Sequence, residues 1–240
     1  MRRRFFVEQF DGVTAVMEGE AAHHLGRVLR AQTGQLYELS DGHRVWLARI
    51  EKASRDSIEF ALLEELPAHQ PKLEVTLLLS VVKFDAFEWA LEKSTELGVT
   101  RIVPLAAARS EKGLLAAAPK RSDRWQKILL EASQQSRRVR VPILGQVAAP
   151  EKAFTNYKTA RSVMLSERPD APSLREVLSA TQAVTNATIA IGPEGGWTDA
   201  EFDAARIAKF SEASLGKLIL RTETAVIAAL AAINYALGAD

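Results

Sequence analysis

The chemically richest run in the chain is Ala190-Ile191-Gly192-Pro193-Glu194-Gly195-Gly196-Trp197-Thr198-Asp199-Ala200-Glu201. Three glycines and a proline within five residues make a tight loop whose backbone can approach a ligand closely. The apolar residues before it mark the carboxyl end of a strand, where open α/β sheets place their sites. Glu194 narrows the choice of ligand. A carboxylate inside the loop repels phosphate, so the loop matches neither the P-loop nor the dinucleotide fingerprint, and a cationic or neutral ligand suits it better. By composition alone the same residues also describe a plain turn. Thr198 and Glu201 predict a capping box, which fixes the start of the next helix.

A second segment, Leu215-Gly216-Lys217-Leu218-Ile219-Leu220-Arg221-Thr222-Glu223-Thr224-Ala225, leads into a helix of small residues from Val226 to Leu237. Thr222 or Thr224 is expected to cap that helix. Alanines at 225, 228, 229, 231 and 232 allow close approach of a neighbouring element. Arg221 follows three apolar residues, a position where a fixed cation usually has a partner. A third feature is local charge. Lys120 to Arg140 holds seven basic residues against Asp123 and Glu131, within a chain whose net charge is only +1. Any polyanion site must therefore be local, although such a run also describes a solvated helix face.

These residues need a frame. The 240 residues suffice for two ordinary domains, with 47% hydrophobic and 25% charged residues typical of a globular chain. No run approaches the roughly 18 apolar residues of a membrane span. Residues 1–7 are basic then apolar but meet Glu8 and Gln9 at once, so no secretory signal is read and the expected compartment is the cytoplasm. The absence of cysteine excludes disulfides, thiolate metal sites and cysteine nucleophiles. His23, His24, His43 and His69 form no convincing metal set, and none is expected.

The first third predicts short strands around Val7–Phe10, Val13–Met17, Gln35–Ser40, Arg44–Ile50 and Ser57–Leu63. Asp41-Gly42 signals a two-residue hairpin turn. A helix over 20–30 carries Ala21, Leu25, Val28 and Leu29 on one face and His23, Arg27 and Arg30 on another. Leu66–Lys72, with two prolines, reads as a linker, giving domains 1–70 and 71–240. Beyond it strand and helix alternate: strands near 73–82, 101–106, 162–166 and 188–191, and helices from Phe84 to Gly98 and near 121–136, 173–180, 199–209 and 223–237. That alternation predicts a second domain of α/β class.

Five ordered pieces carry a resemblance over essentially the whole chain. They are His23-His24-Leu25 with Val28-Leu29-Arg30; Lys93 to Val99; Glu131-Ala132 with Gln135-Ser136 and Arg138; Ile191 to Gly196; and Ile219 to Ala225. In this order they resemble the bacterial small-subunit (16S) ribosomal RNA uridine-N3 methyltransferase family of the SPOUT class. The resemblance implies a PUA-like β-barrel that helps hold RNA, then an α/β domain ending in a trefoil knot. It also implies a homodimer and S-adenosyl-L-methionine held among three loops: Leu165-Ser166-Glu167, Ile191-Gly192-Pro193-Glu194-Gly195-Gly196, and Leu215 to Ala225. Within the third loop the implied contacts are Leu215, Gly216, Ile219, Leu220, Thr222, Thr224 and Ala225.

The chemistry agrees with these residues. A sulfonium cation tolerates Glu194 where phosphate does not. Methylation at a ring nitrogen needs no covalent enzyme adduct, whereas the usual route to pyrimidine C5 needs a cysteine the chain lacks. Arg221 is expected to stabilise the anion that develops as N3 loses its proton, with Glu194 or Glu223 as the acceptor. His23, Arg27, Arg30, Arg137, Arg138 and Arg140, with Arg2 to Arg4, are expected to meet phosphates of 16S ribosomal RNA, within the small ribosomal subunit. Two other readings stay open: ribose 2′-O methylation on the same fold, and a non-catalytic RNA-binding assembly factor.

Overall fold

A computed structural model describes residues 3–54, 56–179 and 184–238, so Arg2 and the last residue of the helix expected over 173–180 lie outside the described residues. The chain divides into two compact units, one of Met1–Gln70 with Ser133–Val141 and one of Pro71–Ala132 with Pro142–Asp240.

The first unit contains β1 (Arg4–Phe6), β2 (Thr14–Glu18), α1 (Gly19–His23), β3 (Leu36–Ser40), β4 (Val45–Ala53) and β5 (Ser57–Leu66). They form one sheet in the order β1-β3-β4-β5-β2, antiparallel except for the β1–β3 pair. Alternation sets its buried face: Ala15 and Met17 on β2, and Ile58, Phe60 and Leu62 on β5, meet Phe5, Leu39 and Ile50. The helix expected over 20–30 is α1 continued by a π-helical turn, His24–Val28, and it ends at Arg30 with φ +51°. Ala22 and Leu25 are buried beneath it, while the side chain of Val28 lies outside what is described. The β3–β4 connection has four residues rather than two. The Asp41 carboxylate accepts from the backbone N–H groups of His43 and Arg44, so a side-chain-closed turn replaces the tight one.

Ser133–Val141 joins this unit through charge. Glu38, 3% exposed, accepts from Arg4 Nε and Nη2 at 3.1 and 2.9 Å and also pairs with Arg137. Arg4 Nη1 donates to the Arg137 carbonyl at 2.5 Å, and Ser40 Oγ to the Val139 carbonyl at 2.6 Å. Arg4 is thus buried rather than offered to phosphate; burial and the Arg137 charge hold its pKa below the usual arginine range.

The second unit is built from β6 (Glu74–Ser80), α2 (Phe84–Glu96), β7 (Arg101–Leu105), α3 (Lys112–Ala117), α4 (Ser122–Gln135, running on into the first unit), β8 (Ile143–Leu144), α5 (Pro150–Asn156), β9 (Arg161–Leu165), α6 (Leu174–Ser179), β10 (Asn186–Ile191), α7 (Asp199–Ile207), β11 (Ser211–Ala213) and α8 (Thr222–Leu237). Its strands pair only in parallel, in the order β11-β9-β10-β6-β7-β8. Val75 and the successive Leu77, Leu78 and Leu79 of β6 are all buried, as in a strand covered on both faces. Gly98, φ +90°, ends α2, and Asn234 Nδ2 of α8 donates to the orphan Leu97 carbonyl at 2.8 Å. Val226, Ala229, Leu230 and Ile233 form the buried face of α8, whereas Tyr235 is exposed. Among the described residues no helix is long and apolar enough to cross a membrane.

Removing the carboxylate in Glu38→Ala leaves the buried Arg4 facing Arg137 uncompensated. Loss of about 3 kcal/mol is expected in denaturant unfolding, less than for a fully buried pair because Arg137 is half-exposed. Arg4→Met in the same background should recover part of it; equal stability of wild type and Glu38→Ala would refute the clamp.

Candidate functional site

Because every strand of the second unit is parallel, all carboxyl ends lie along one edge. The chain leaves β6 toward β7 and leaves β10 toward β9 and β11, so the topological switch falls between neighbours β10 and β6. Open α/β sheets place ligands in the crevice at such a point.

Three loops converge there, and each is tied to another. After β9, the Ser166 N–H donates to the Ala213 carbonyl at 2.8 Å, joining the first loop to β11. After β10, Trp197 Nε1 donates to the Leu165 carbonyl at 2.9 Å. At the start of α8, Thr222 Oγ1 donates to the Gly192 carbonyl at 3.4 Å. Gly192 leaves room for the second tie, since a Cβ there would lie 3.0 Å from the Trp197 ring and press on the indole. Gly196 has φ +68° and closes a turn onto the Pro193 carbonyl, a conformation that disfavours side chains. The capping box is present: Thr198 Oγ1 accepts from the Glu201 N–H, and Glu201 Oε2 accepts from the Thr198 N–H at 2.7 Å. Glu201 Oε1 also accepts from the Ala108 N–H at 2.8 Å, tying the loop after β7 to the helix start.

The loops enclose a cleft of about 450 Å³, within the range of small-molecule sites. Of the residues expected to hold a cofactor, it brings together Leu165, Ser166, Ile191, Gly192, Pro193, Glu194, Gly195, Gly196, Leu215, Gly216, Ile219, Leu220, Thr222 and Ala225. Thr224 faces elsewhere. It lines a second cavity of about 1000 Å³ with Arg221 and Glu223, and Glu167, Glu194, Ile219 and Leu220 border both spaces.

Three expectations change. Neither Thr222 nor Thr224 caps α8: Arg221 occupies the cap position without a side-chain bond, and the Thr222 hydroxyl is committed to Gly192. Arg221 is exposed and, among the described residues, has no hydrogen-bond or ion-pair partner for its side chain. The basic stretch is also partly spent on structure. Arg121 and Arg124 pair with Glu88, Arg137 pairs with Glu38, and Arg140 Nη2 donates to Gln70 at 3.0 Å. Arg138 Nε donates to the Arg140 carbonyl, and burial with the Arg140 charge brings its pKa down to about 10. On the first helix, Arg27 and Arg30 are exposed, and Arg27 Nη1 lies 3.4 Å from His23 Nε2.

Sequence reasoning passed over Arg109, Arg168 and Phe202 in the cleft. Arg109 Nη1 donates to the Gly195 carbonyl at 2.7 Å, and Arg168 stacks 3.6 Å over the Phe202 ring while pairing with Asp199 at 2.7 Å. Their signal was positional: Arg109 and Arg168 each follow an apolar strand at its carboxyl end. Trp197→Phe removes the indole donor and is expected to cost about 1–2 kcal/mol in unfolding and to weaken cleft ligands. Unchanged stability and binding would show that this tie does not hold the loops.

Residues 69–234 match the model of an RNA methyltransferase domain, and residues 18–63 that of an RNA methyltransferase PUA domain. A Synechocystis protein, ribosomal RNA small subunit methyltransferase E, is 36% identical over 95% of this chain and 75% of its own length. The crystal structure of the enzyme of that name from Neisseria gonorrhoeae, bound to S-adenosyl methionine, is 32% identical, with TM-score 0.88 over 99% of both chains. A putative methyltransferase from Legionella pneumophila, in complex with the same cofactor, is 27% identical, with TM-score 0.89 over the full length of both. A PUA-like β unit followed by a parallel SPOUT-like α/β unit, matched by both models, places this chain in the family of ribosomal RNA small subunit methyltransferase E.

Proposed function

We propose that the protein methylates N3 of a uridine in 16S ribosomal RNA of the small subunit, using S-adenosyl-L-methionine bound in the three-loop cleft. The observation that carries this is the convergence of three tied loops on a cleft at the switch point, in a chain similar over its whole length to a protein crystallised with that cofactor. The lining fits the group. Gly192 to Gly196 offer backbone close to the cleft around a carboxylate, and Leu165, Ile191, Leu215 and Leu220 offer apolar contact. Arg109, Arg168 and Lys217 on the wall supply cations for a carboxylate. When bound, S-adenosyl-L-methionine supplies an electrophilic methyl group on a sulfonium centre.

The remaining steps belong to this chain. Uridine N3 must lose its proton to act as a nucleophile, and the charge spreads onto the carbonyl oxygens beside it. Arg221 lines the second cavity and, among the described residues, its side chain has no hydrogen-bond or ion-pair partner, so its cation is available to that charge. Glu223 and Glu194 border the same space and offer carboxylates to take the proton. N3 is the pairing edge, so the uridine must be unpaired or flipped out. Arg27 and Arg30, with His23, supply the exposed cationic face of the first helix; Arg138 and Arg140 add charge, while Arg137 acts mainly through Glu38. A homodimer, supported by Leu218 and Ile219 at 82% exposure and Tyr235 at 94%, belongs to the same reading, as does the knotted threading of the three loops.

The test is transfer of labelled methyl from S-adenosylmethionine to small ribosomal subunits, followed by nucleoside mass spectrometry. N3-methyluridine is expected; label on ribose would keep the fold and change the nucleophile. Arg221→Ala should lower kcat by about 10²–10³-fold with cofactor affinity retained, and an unchanged kcat would remove Arg221 from catalysis.

A further inference from the structure

The second cavity has an aromatic wall that neither the cleft nor the proton chemistry uses. Trp89 lines it and is 42% exposed. It sits on α2 off the buried stripe of Phe87, Ala90 and Leu91, one turn after Asp85 and Ala86, which line the same cavity. The other aromatics of α2 are covered: the Arg121 guanidinium lies 4.6 Å above the Phe84 ring, and Phe87 packs on Trp125 at 4.6 Å between centroids. Among the described residues Trp89 has neither an aromatic nor a cationic partner. A large indole face left to water beside polar groups is the arrangement of a binding surface rather than of a core.

Its surroundings specify the ligand. Lys83 and Arg221 supply positive charge, and Asp85, Glu194 and Glu223 supply acceptors, around one flat apolar plane. With Glu167 on the shared wall, a phosphate would meet four carboxylates here; a flat heterocycle with donors and acceptors on its edges meets one surface for its face and several groups for its rim. The cavity shares Glu167, Glu194, Ile219 and Leu220 with the cofactor cleft, so a base stacked there lies next to the methyl source.

We propose that Trp89 is the platform on which the target uracil base stacks once it has left its own stack, replacing the stacking lost on extrusion and turning N3 toward the shared wall. The proposal rests on the methyltransfer reading above. It makes Trp89 a substrate-binding residue, with Arg221 and Glu223 at the base edge.

The experiment compares wild type, Trp89→Ala and Trp89→Phe in steady-state methyl transfer to small-subunit RNA, with S-adenosylmethionine affinity by calorimetry and oligomeric state by sedimentation. Trp89→Ala is expected to lose about ten- to a hundredfold in kcat/KM for RNA. Cofactor affinity and assembly should be unchanged, and Trp89→Phe should recover most of the loss. In parallel, oligouridylate should quench wild-type tryptophan emission by a component absent from Trp89→Phe. Wild-type kinetics in Trp89→Ala, or a loss that follows cofactor affinity or dissociation of the protein, would overturn the proposal. If wild type transfers no methyl to RNA, the functional reading fails by itself, and the quenching difference alone then decides whether Trp89 binds a base.

Discussion

The exclusively parallel pairing of the second unit constrains everything that follows. It sends the ends of β9, β10 and β11 to one edge and puts the reversal of strand order between β10 and β6. Convergence alone would give three loops in water. What makes a cleft of them is a small set of bonds from one loop to another: Trp197 to the Leu165 carbonyl, Ser166 to the Ala213 carbonyl, and Thr222 to the Gly192 carbonyl. The Ser166 bond carries the β9–β11 ladder one residue into the loop, while the other two lie outside any helix or ladder and satisfy backbone carbonyls that the loops would otherwise leave to solvent. The glycines serve the same geometry, Gly192 by making room for the indole and Gly196 by its positive φ.

Charge is divided between holding the fold and meeting a ligand. Arg4, Arg121, Arg124 and Arg137 are paired with Glu38 or Glu88, and Arg140 with Gln70. These contacts explain why a run of net +5 is not simply a polyanion surface. Arg221 is the reverse case: exposed, without a side-chain partner among the described residues, and beside a cavity that adjoins the cleft. An exposed guanidinium is well solvated without a partner, so what sets Arg221 apart is its place on the wall of that cavity.

Much of this was legible in the sequence where a local rule decides the outcome. The Thr198–Glu201 box, the stop at Gly98 and the apolar runs of β6, β9 and β10 all follow from short-range chemistry. The glycine-rich turn at 192–196 was legible as a tight loop, which composition alone left open as a plain turn, and its grouping with 165–167 and 215–225 was implied by the family resemblance. The rest depended on distant partners. β11 is three residues, Ser-Glu-Ala, with no apolar pattern, and is a strand only because β9 offers it an edge. The Glu38 clamp joins residues about a hundred positions apart, so Arg137 read as a surface cation. Thr222 looked like a cap because its reach to Gly192 is invisible before folding. Trp89 was passed over because an indole off the apolar stripe has no meaning until the cavity beside it is known.

The central claim is that three loops distant in sequence act as one cofactor site. Backbone hydrogen exchange, followed by mass spectrometry with and without S-adenosylmethionine, tests it most directly. Amides in 165–169, 191–197 and 214–222 should gain protection together and at the same cofactor concentration. Protection confined to one loop, or centred on another part of the chain, would contradict the account.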